Sequence, residues 1–384
     1  MLLFDIESIC YNYESFKDRS INSSTKIFNY YNLLKLIEKY KNIYSINPIG
    51  LSVEKRIIFQ IKWGIGKIKV FIWSQMHGNE TTGTKSMFDI FHFFLKYKNH
   101  HLVKFFFKNL TILYIPMLNP DGSEKFQRRN AINIDLNRDA IRLQSPEMKI
   151  LFNEIDKHKP NVLFNLHDQR SIYNVGDEFF NPAILSFLSP TIPVKGNNDF
   201  LCRKKSMGII YFITKEINKV LPKIGAIGRF SDKFYPTATG DTLQKIGYPC
   251  VLFEAGNYPK DLQKKKIRKY NVLSILAGFY FISCQKNNLE KDYSYYFSIP
   301  KNKDILLDKI YRKVKVRKNN YRFLIDIGIM NFEEFNIHEK NISIISKIVD
   351  IGDLSNFFTY NELILSKELF FEKNYPKIGD IERF

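Results

Sequence analysis

The chain has 384 residues, 45% of them hydrophobic and 25% charged, a composition typical of a soluble globular protein with room for one large and one smaller domain. Its net charge of +19 comes from lysines scattered along the whole chain, so we expect no nucleic-acid partner. The four cysteines lie far apart, which argues against a disulfide framework or a cysteine zinc cluster. Residues 1–10 do not resemble a secretory signal and residues 272–282 are too short an apolar run to span a bilayer, so we expect a cytoplasmic chain without membrane contact.

The first half of the chain alternates helical and strand-like patterns. Residues 26–40 carry apolar side chains at helical spacing and predict an amphipathic helix. The runs RIIFQIKW and KIKVFIW then predict two strands joined by Gly-Ile-Gly as a hairpin. A helix at about residues 84–98 and the apolar strand LTILYIPML follow.

The second half continues the alternation before its character changes. SPEMKILFNEIDKHKP predicts a helix with Ser145 as N-cap, NVLFNLH and GYPCVLFEAG predict buried strands, and KDLQKKKIRKYNVLSILAGFYF predicts another helix. Such alternation indicates an α/β domain with a parallel or mixed sheet. Beyond about Cys284 the chain becomes polar and then predicts short strands at YRFLIDIGIMN and KNISIISKIVDIGD. We therefore divide it into an α/β domain at 1–285 and a small β-rich domain of unknown role at 286–384.

Polar and ionisable residues follow the predicted strands where each strand ends. The runs KVFIWSQMH, ILYIPMLNPDG, VLFNLH and VLFEAG all end this way. In α/β folds ligands gather at the carboxyl ends of the strands. We therefore expect these four segments to meet in one functional site.

Three of these residues form a candidate set of metal ligands. His77 leaves a strand, Gly78 permits a tight turn, and Glu80 stands where the next helix begins; His167 ends another strand. A catalytic zinc takes three protein ligands and keeps one position open. The alternatives are that Glu80 is an acid stabilised at a helix N-terminus and that His167 is a buried or capping histidine.

A base and a set of arginines complete the chemistry that the sequence predicts. Glu254 ends an apolar strand, where a carboxylate is costly without a function or an ion-pair partner. It is a candidate general base, with a buried structural ion pair as the alternative. Residues 119–140 hold the Arg128–Arg129 pair and the Asn137–Arg138 pair, which suit bidentate binding of a carboxylate, although a charged surface loop would look similar.

Taken together, these residues resemble the zinc metallocarboxypeptidases related to pancreatic carboxypeptidase A. The matching pieces, in the order of that family, are GLSVEKRII (50–58), HGNE (77–80), NPDG (119–122), RRNAINIDLNRD (128–139), NLHD (165–168) and FEAG (253–256). The resemblance implies a three-layer α/β/α fold around a mixed, mostly parallel eight-stranded sheet of the phosphorylase/hydrolase-like type. It also implies one Zn²⁺ per chain, held by His77, Glu80 and His167, with Glu254 as general base towards a zinc-activated water.

The resemblance further implies how a substrate is held. Asn137 and Arg138 match the residues that bind a C-terminal carboxylate, and Tyr235 matches a tyrosine that covers it, although a packed loop aromatic is an alternative for Tyr235. Arg128 matches the arginine that polarises the scissile carbonyl, with Arg129 as the alternative because the doubled arginine leaves the register open.

The activity expected from the resemblance is zinc-dependent hydrolysis of the last peptide bond of a peptide with a free C-terminal carboxylate. The HGNE motif is also typical of the aspartoacylase and succinylglutamate desuccinylase branch, so a deacylase or amidase acting on N-acyl amino acids or cell-wall peptides is the alternative. NPDG, DLNRD and the tyrosine loop favour the carboxypeptidase side. A binding protein without turnover is a third alternative. The residue removed and the oligomeric state stay open.

Overall fold

The computed structural model describes residues 4–191, 197–364 and 375–383. The helices are α1 (Ile6–Tyr11), α2 (Tyr13–Phe16), α3 (Tyr30–Tyr40), α4 (Thr82–Lys96), α5 (His101–Asn109), α6 (Pro120–Glu124), α7 (Pro146–His158), α8 (Asn197–Ile217), α9 (Thr239–Lys245) and α10 (Lys265–Gln285). The strands are β1 (Ser45–Leu51), β2 (Ile57–Trp63), β3 (Ile68–Trp73), β4 (Leu110–Ile115), β5 (Val162–Asp168), β6 (Asn174–Val175), β7 (Ala183–Leu188), β8 (Ala226–Arg229), β9 (Cys250–Ala255), β10 (Asn302–Lys303), β11 (Leu306–Leu307), β12 (Lys309–Lys318), β13 (Tyr321–Asn336), β14 (Asn341–Gly352), β15 (Phe358–Thr359) and β16 (Glu362–Ile364).

The centre of the molecule is an eight-stranded sheet of order β1-β2-β4-β3-β5-β9-β7-β8. Its inner strands β4, β3, β5 and β9 run parallel, whereas β1, β2 and β7 pair antiparallel with neighbours, so the sheet is mixed as expected. Because the inner strands are parallel, the segments that follow β3, β4, β5 and β9 emerge at the same edge of the sheet. This edge carries the residues that the sequence singles out.

Both faces of the sheet are covered, which makes the fold a three-layer α/β/α sandwich. Along β3, Val70 and Ile72 pack into the core shared with α4 and α10, whereas Phe71 and Trp73 pack into a second core shared with α7. Successive side chains of a strand point to opposite faces. A strand buried on both faces therefore needs the continuous apolar run seen in IKVFIW.

The predicted hairpin between β2 and β3 is wrong. Strand β4 lies between them, antiparallel to β2 and parallel to β3. The turn at 64–67 instead packs on the start of β4, where Gly66 N donates to Leu110 O at 3.0 Å. The hairpin partner of β2 is β1. The sequence did not predict β1 as a strand, because Pro48 interrupts its apolar pattern. A proline is tolerated here because β1 is an edge strand with a bulge next to Pro48.

The helix predictions are confirmed with shifted ends. The helix expected at 26–40 spans only Tyr30–Tyr40, because Asn29 caps it through a capping box with Asn32. The helix expected at 84–98 spans Thr82–Lys96. Ser145 caps α7 as predicted, with its side chain accepting from Met148 N.

The C-terminal part forms a four-stranded sheet of order β14-β13-β12-β16, in which β13 extends beyond the predicted run and β14 lies within it. A short pairing of β10 with β6, which follows β5, joins it to the α/β part, and β11 pairs with β15 within the C-terminal part. Tyr296 and Ile299 still pack into the large core, so the chain leaves the α/β part gradually. The division at residue 286 stays a prediction. In the described residues no helix is long and apolar enough to cross a membrane.

Candidate functional site

The loop after β3 brings His77 and Glu80 to the carboxyl edge of the sheet. This loop packs against the NPDG turn, since a Cβ on Gly78 would lie 2.2 Å from the carbonyl carbon of Gly122. Asn119 strengthens the contact by donating to Met76 O at 3.3 Å. The glycine of HGNE is therefore required by the close approach of two backbones, which explains why the two motifs occur together.

Three donor atoms converge at this edge. His77 Nδ1 lies 2.8 Å from Glu80 Oε1 and 3.1 Å from His167 Nδ1, and His167 Nδ1 lies 2.7 Å from Glu80 Oε2. All three side chains are buried. Two imidazole nitrogens and one carboxylate are a donor set that a catalytic zinc takes, with one further position left open. The predicted set of ligands is thus brought together in a group that could hold a metal ion.

Asp135 orients the first of these histidines. Its Oδ1 lies 3.1 Å from His77 Nε2, and its Oδ2 accepts from Arg128 Nε at 2.9 Å. If Nε2 carries the proton shared with Asp135, the lone pair of His77 is on Nδ1, which faces Glu80 and His167. Burial lowers the pKa of His77, but the carboxylates of Glu80 and Asp135 outweigh it and raise the pKa above its ordinary value. The same two carboxylates would attract a metal cation bound at this site.

Of the two candidate arginines, Arg128 reaches the ligand group. Its NH1 lies 3.2 Å from Glu80 Oε1 and 3.1 Å from His77 Nδ1. Arg129 instead donates to Asn133 O at 3.1 Å, within its own loop. The geometry therefore favours Arg128 as the guanidinium next to a reacting group.

Glu254 lies beside the ligand group on the neighbouring strand. It is the register partner of His167 in the parallel pair β5–β9 and of Ser186 across β7. Burial, followed by the charges of Glu80 and Asp168, raises the pKa of Glu254 well above its ordinary value. A carboxyl group that binds a proton more tightly than usual suits a general base.

The residues predicted to bind a carboxylate are brought together by the loop before α9. Asn137 Oδ1 accepts from Thr239 N at 2.9 Å, which leaves the amide NH₂ group as its donor. The guanidinium of Arg138 lies 4.3 Å from the ring centroid of Tyr235, whose side chain is 50% exposed. Asp241 accepts from Tyr235 N at 2.9 Å, and burial raises the pKa of Asp241 to about 6. The group presents donors and one half-exposed phenol, as carboxylate recognition requires.

The sequence reading missed Asp135 and the buried contact between Lys264 and Asp168. Lys264 Nζ lies 3.4 Å from Asp168 Oδ2 and donates to Ala255 O at 3.1 Å, tying the residue after His167 to the residue after Glu254. Asp168 belongs to the NLHD motif, so the sequence could have indicated it as a functional residue. Lys264 lies in a run of three lysines, and nothing in the sequence distinguishes it from the next two.

We expect Asp135→Asn to weaken zinc binding by about 10–100-fold, because the amide no longer fixes the tautomer and basicity of His77. Competition with a zinc chelator at fixed pH measures this affinity. Asp156→Asn, at an exposed aspartate on α7, is the matched control and should bind zinc as the parent does. Equal affinities for the two variants would contradict the role given to Asp135.

Comparison with known proteins shows which family these residues resemble. Residues 30–174, which include all three metal-ligand candidates, match the family model described as zinc carboxypeptidase. A segment of 126 residues is 28% identical to a probable carboxypeptidase 2 of Trichophyton verrucosum, covering 30% of this chain and 24% of that protein. The chain thus spans about a quarter of the length of that curated relative.

Solved structures show the same fold. A metallo-carboxypeptidase from Burkholderia cenocepacia is 14% identical with a TM-score of 0.54, over 68% of this chain and 71% of that one. Carboxypeptidase A from Helicoverpa armigera is 16% identical with a TM-score of 0.51, over 75% and 83%. At such identities the likeness concerns the fold alone. The segment 30–174 is thus similar to the zinc carboxypeptidases in sequence, and the chain shares their fold.

Proposed function

We propose that this protein is a zinc-dependent carboxypeptidase that hydrolyses the C-terminal peptide bond of peptides, with one Zn²⁺ per chain. The observation that carries the proposal is the convergence of the His77, Glu80 and His167 donors beside Glu254, their neighbour in strand register. The grouping of Arg138 with Tyr235 supports a substrate with a free terminal carboxylate. This grouping favours a peptidase over a deacylase.

In this proposal each side chain has one task. Arg138 and the amide NH₂ of Asn137 bind the terminal carboxylate, and Tyr235 covers it from the exposed side. The guanidinium of Arg128 polarises the scissile carbonyl and stabilises the negative charge that develops on its oxygen. Glu254 takes a proton from the attacking water and delivers it to the leaving amine. Zinc, when bound, supplies Lewis-acid polarisation.

Digestion of a peptide library followed by mass spectrometry tests the activity directly. Peptides should shorten from the C-terminus only, peptides with an amidated C-terminus should resist, and a chelator such as phenanthroline should stop the reaction. Hydrolysis that survives removal of the metal would contradict the proposal. Parallel assays with an acylated dipeptide and with acetyl-aspartate separate it from the deacylase alternative, which predicts turnover of the second compound only.

We expect Arg138→Lys to lower kcat/KM for such peptides roughly 10–100-fold, the value of a charge-assisted hydrogen bond. Lysine keeps the charge but lacks both the planar fork and the stacking on Tyr235. The loss should appear chiefly in KM, measured with a series of free-carboxylate peptides.

Arg142→Lys is the matched control, because Arg142 is an exposed arginine a few residues further along the same segment. Its kinetics should equal those of the parent. An unchanged KM in Arg138→Lys would remove Arg138 from the carboxylate site.

A further inference from the structure

A cavity of about 780 Å³ lies outside the candidate metal site. We call it the hairpin cavity; it lies between the N-terminal segment 20–39, the loop at Leu262 and Gln263, and the tip of the hairpin β13–β14, where Glu333 and residues 340–344 line it. None of the metal-ligand candidates, Glu254 or the carboxylate-binding residues lines it. Its volume is in the range of ligand-binding pockets.

Segment 25–28 separates the hairpin cavity from the metal-ligand loop. Lys26 O accepts from Thr81 Oγ1 at 2.6 Å, and Phe28 O accepts from Gln75 Nε2 at 2.9 Å. These bonds hold one side of the segment against the loop that carries His77 and Glu80, while residues 26–28 also line the cavity. The cavity is therefore adjacent to the metal site but distinct from it.

The walls of the cavity include apolar side chains that remain in contact with solvent. Ile344 and Leu262, which line the hairpin cavity, are 48% and 62% exposed. Ile344 pairs in register with Glu333, and Ile342 with Phe335, so these side chains share one face of the hairpin. A ligand in the cavity would remove this apolar surface from water.

The charge of the cavity is positive. Four lysines line it against one acid, Glu333. Lys26 pairs with Glu333, and Lys39 pairs with Asp18 at 2.7 Å. Among the described residues neither Lys35 nor Lys340 has a carboxylate partner, although Lys35 Nζ lies 4.4 Å from the ring centroid of Tyr31. Two cations are left at the rim, which favours an anionic ligand.

The backbone next to the cavity favours a peptide. Strand β14 is an edge strand, and within the described residues its outer edge pairs only at 346–348, with residues 379–382. At 341–345, a stretch that includes cavity residues, no other described segment bonds to the outward N–H and C=O groups. An extended peptide can add to such an edge, whereas an acyl chain would leave these groups without partners.

We propose that the hairpin cavity binds an extended peptide segment that carries acidic and apolar side chains. The acidic groups pair with Lys35 and Lys340, the apolar side chains cover Ile344 and Leu262, and the peptide backbone bonds to the edge of β14. The site recognises a polypeptide independently of the metal site, so its occupation does not require zinc or Glu254.

Fluorescence anisotropy with a labelled, C-terminally amidated octapeptide of alternating glutamate and leucine tests this site. We expect saturable binding that weakens at least roughly tenfold in Lys35→Glu/Lys340→Glu. A similar loss is expected in Ile344→Ser. Binding should persist with a chelator present and in Glu254→Gln, and the analogous lysine–leucine peptide should not bind. Lys67→Glu and Ile65→Ser, at an exposed turn away from the cavity, are the matched controls and should bind as the parent does.

The proposal would be overturned by no saturable binding of the glutamate–leucine peptide, by equal losses in the cavity and control variants, or by binding abolished by the chelator. Vesicles of an anionic phospholipid provide the last comparison. If they bind and displace the peptide while the cavity variants lose both, the cavity is a lipid site and the peptide assignment is wrong.

Discussion

Replacing Glu254 with glutamine is expected to lower the rate of peptide hydrolysis by about 10²–10⁴-fold while zinc stays bound. Glutamine has nearly the same shape as glutamate but cannot accept the proton, and Glu254 is a register neighbour of His167, not one of the three converging donors. The measurements are kcat on a peptide with a free C-terminus and the zinc content of the purified protein by metal analysis.

Two comparison variants sharpen this test. His167→Ala removes a donor, so it should lose zinc and activity together, whereas Glu254→Gln should separate the two. Glu178→Gln, at an exposed acid in the loop between β6 and β7, should retain both. If Glu254→Gln kept more than about a tenth of the activity, Glu254 would not be the base, and if it lost zinc, it would belong to the ligand group.

Sequence patterns predicted that the metal-ligand candidates lie together, because the position of each candidate depends on local features. An apolar run followed by a turn predicts a strand and its end, and parallel strands then bring their carboxyl ends to one edge. His77, Glu80 and His167 need no other information to be grouped. Glu254 was found in the same way, and its register next to His167 follows from β5 and β9 being neighbours.

Features that depend on pairing over long distances could not be predicted in this way. Two apolar strands next to each other in sequence suggested a hairpin, but α4 and α5 return the chain so that β4 enters between β2 and β3. Asp135 contacts His77 across 58 residues, and no local pattern marks it as different from other loop acids. The preference for Arg128 over Arg129 likewise rests on side-chain contacts that the sequence does not show.

The C-terminal part also contacts segments of the candidate site, which composition alone gave no reason to expect. Asn302 donates to Ser186 Oγ at 2.9 Å, and Ser186 is a register partner of Glu254. Leu306 N donates to Ile172 O at 3.1 Å, in the loop that follows β5. The residues after 299 therefore support the strand and the loop that flank the metal-ligand group.

Replacing Arg268 with methionine is expected to destabilise the folded protein by about 3–5 kcal/mol, the cost of leaving a buried charge without its partner. Arg268 on α10 donates to Asp89 on α4 through Nε at 2.7 Å, and Asp89 is fully buried. Asp89 also accepts from Tyr13 Oη at 2.7 Å and from Asp18 N at 2.8 Å. The Asp89 carboxylate thus joins two helices to the N-terminal segment. Urea unfolding followed by circular dichroism measures the decrease in the free energy of unfolding.

Lys157→Met is the matched control, because it removes an ion pair in which Lys157 is 63% exposed, and such pairs contribute at most about 1 kcal/mol. In the double variant Asp89→Asn/Arg268→Met the uncompensated charge is gone, so the loss should be smaller than in Arg268→Met alone. A loss below about 1 kcal/mol in Arg268→Met would mean that water reaches Asp89.

The same variant should also bind zinc more weakly. Lys264 lies one turn before Arg268, so a shift of α10 caused by the loss of Arg268 would also move the contact of Lys264 with Asp168, next to His167.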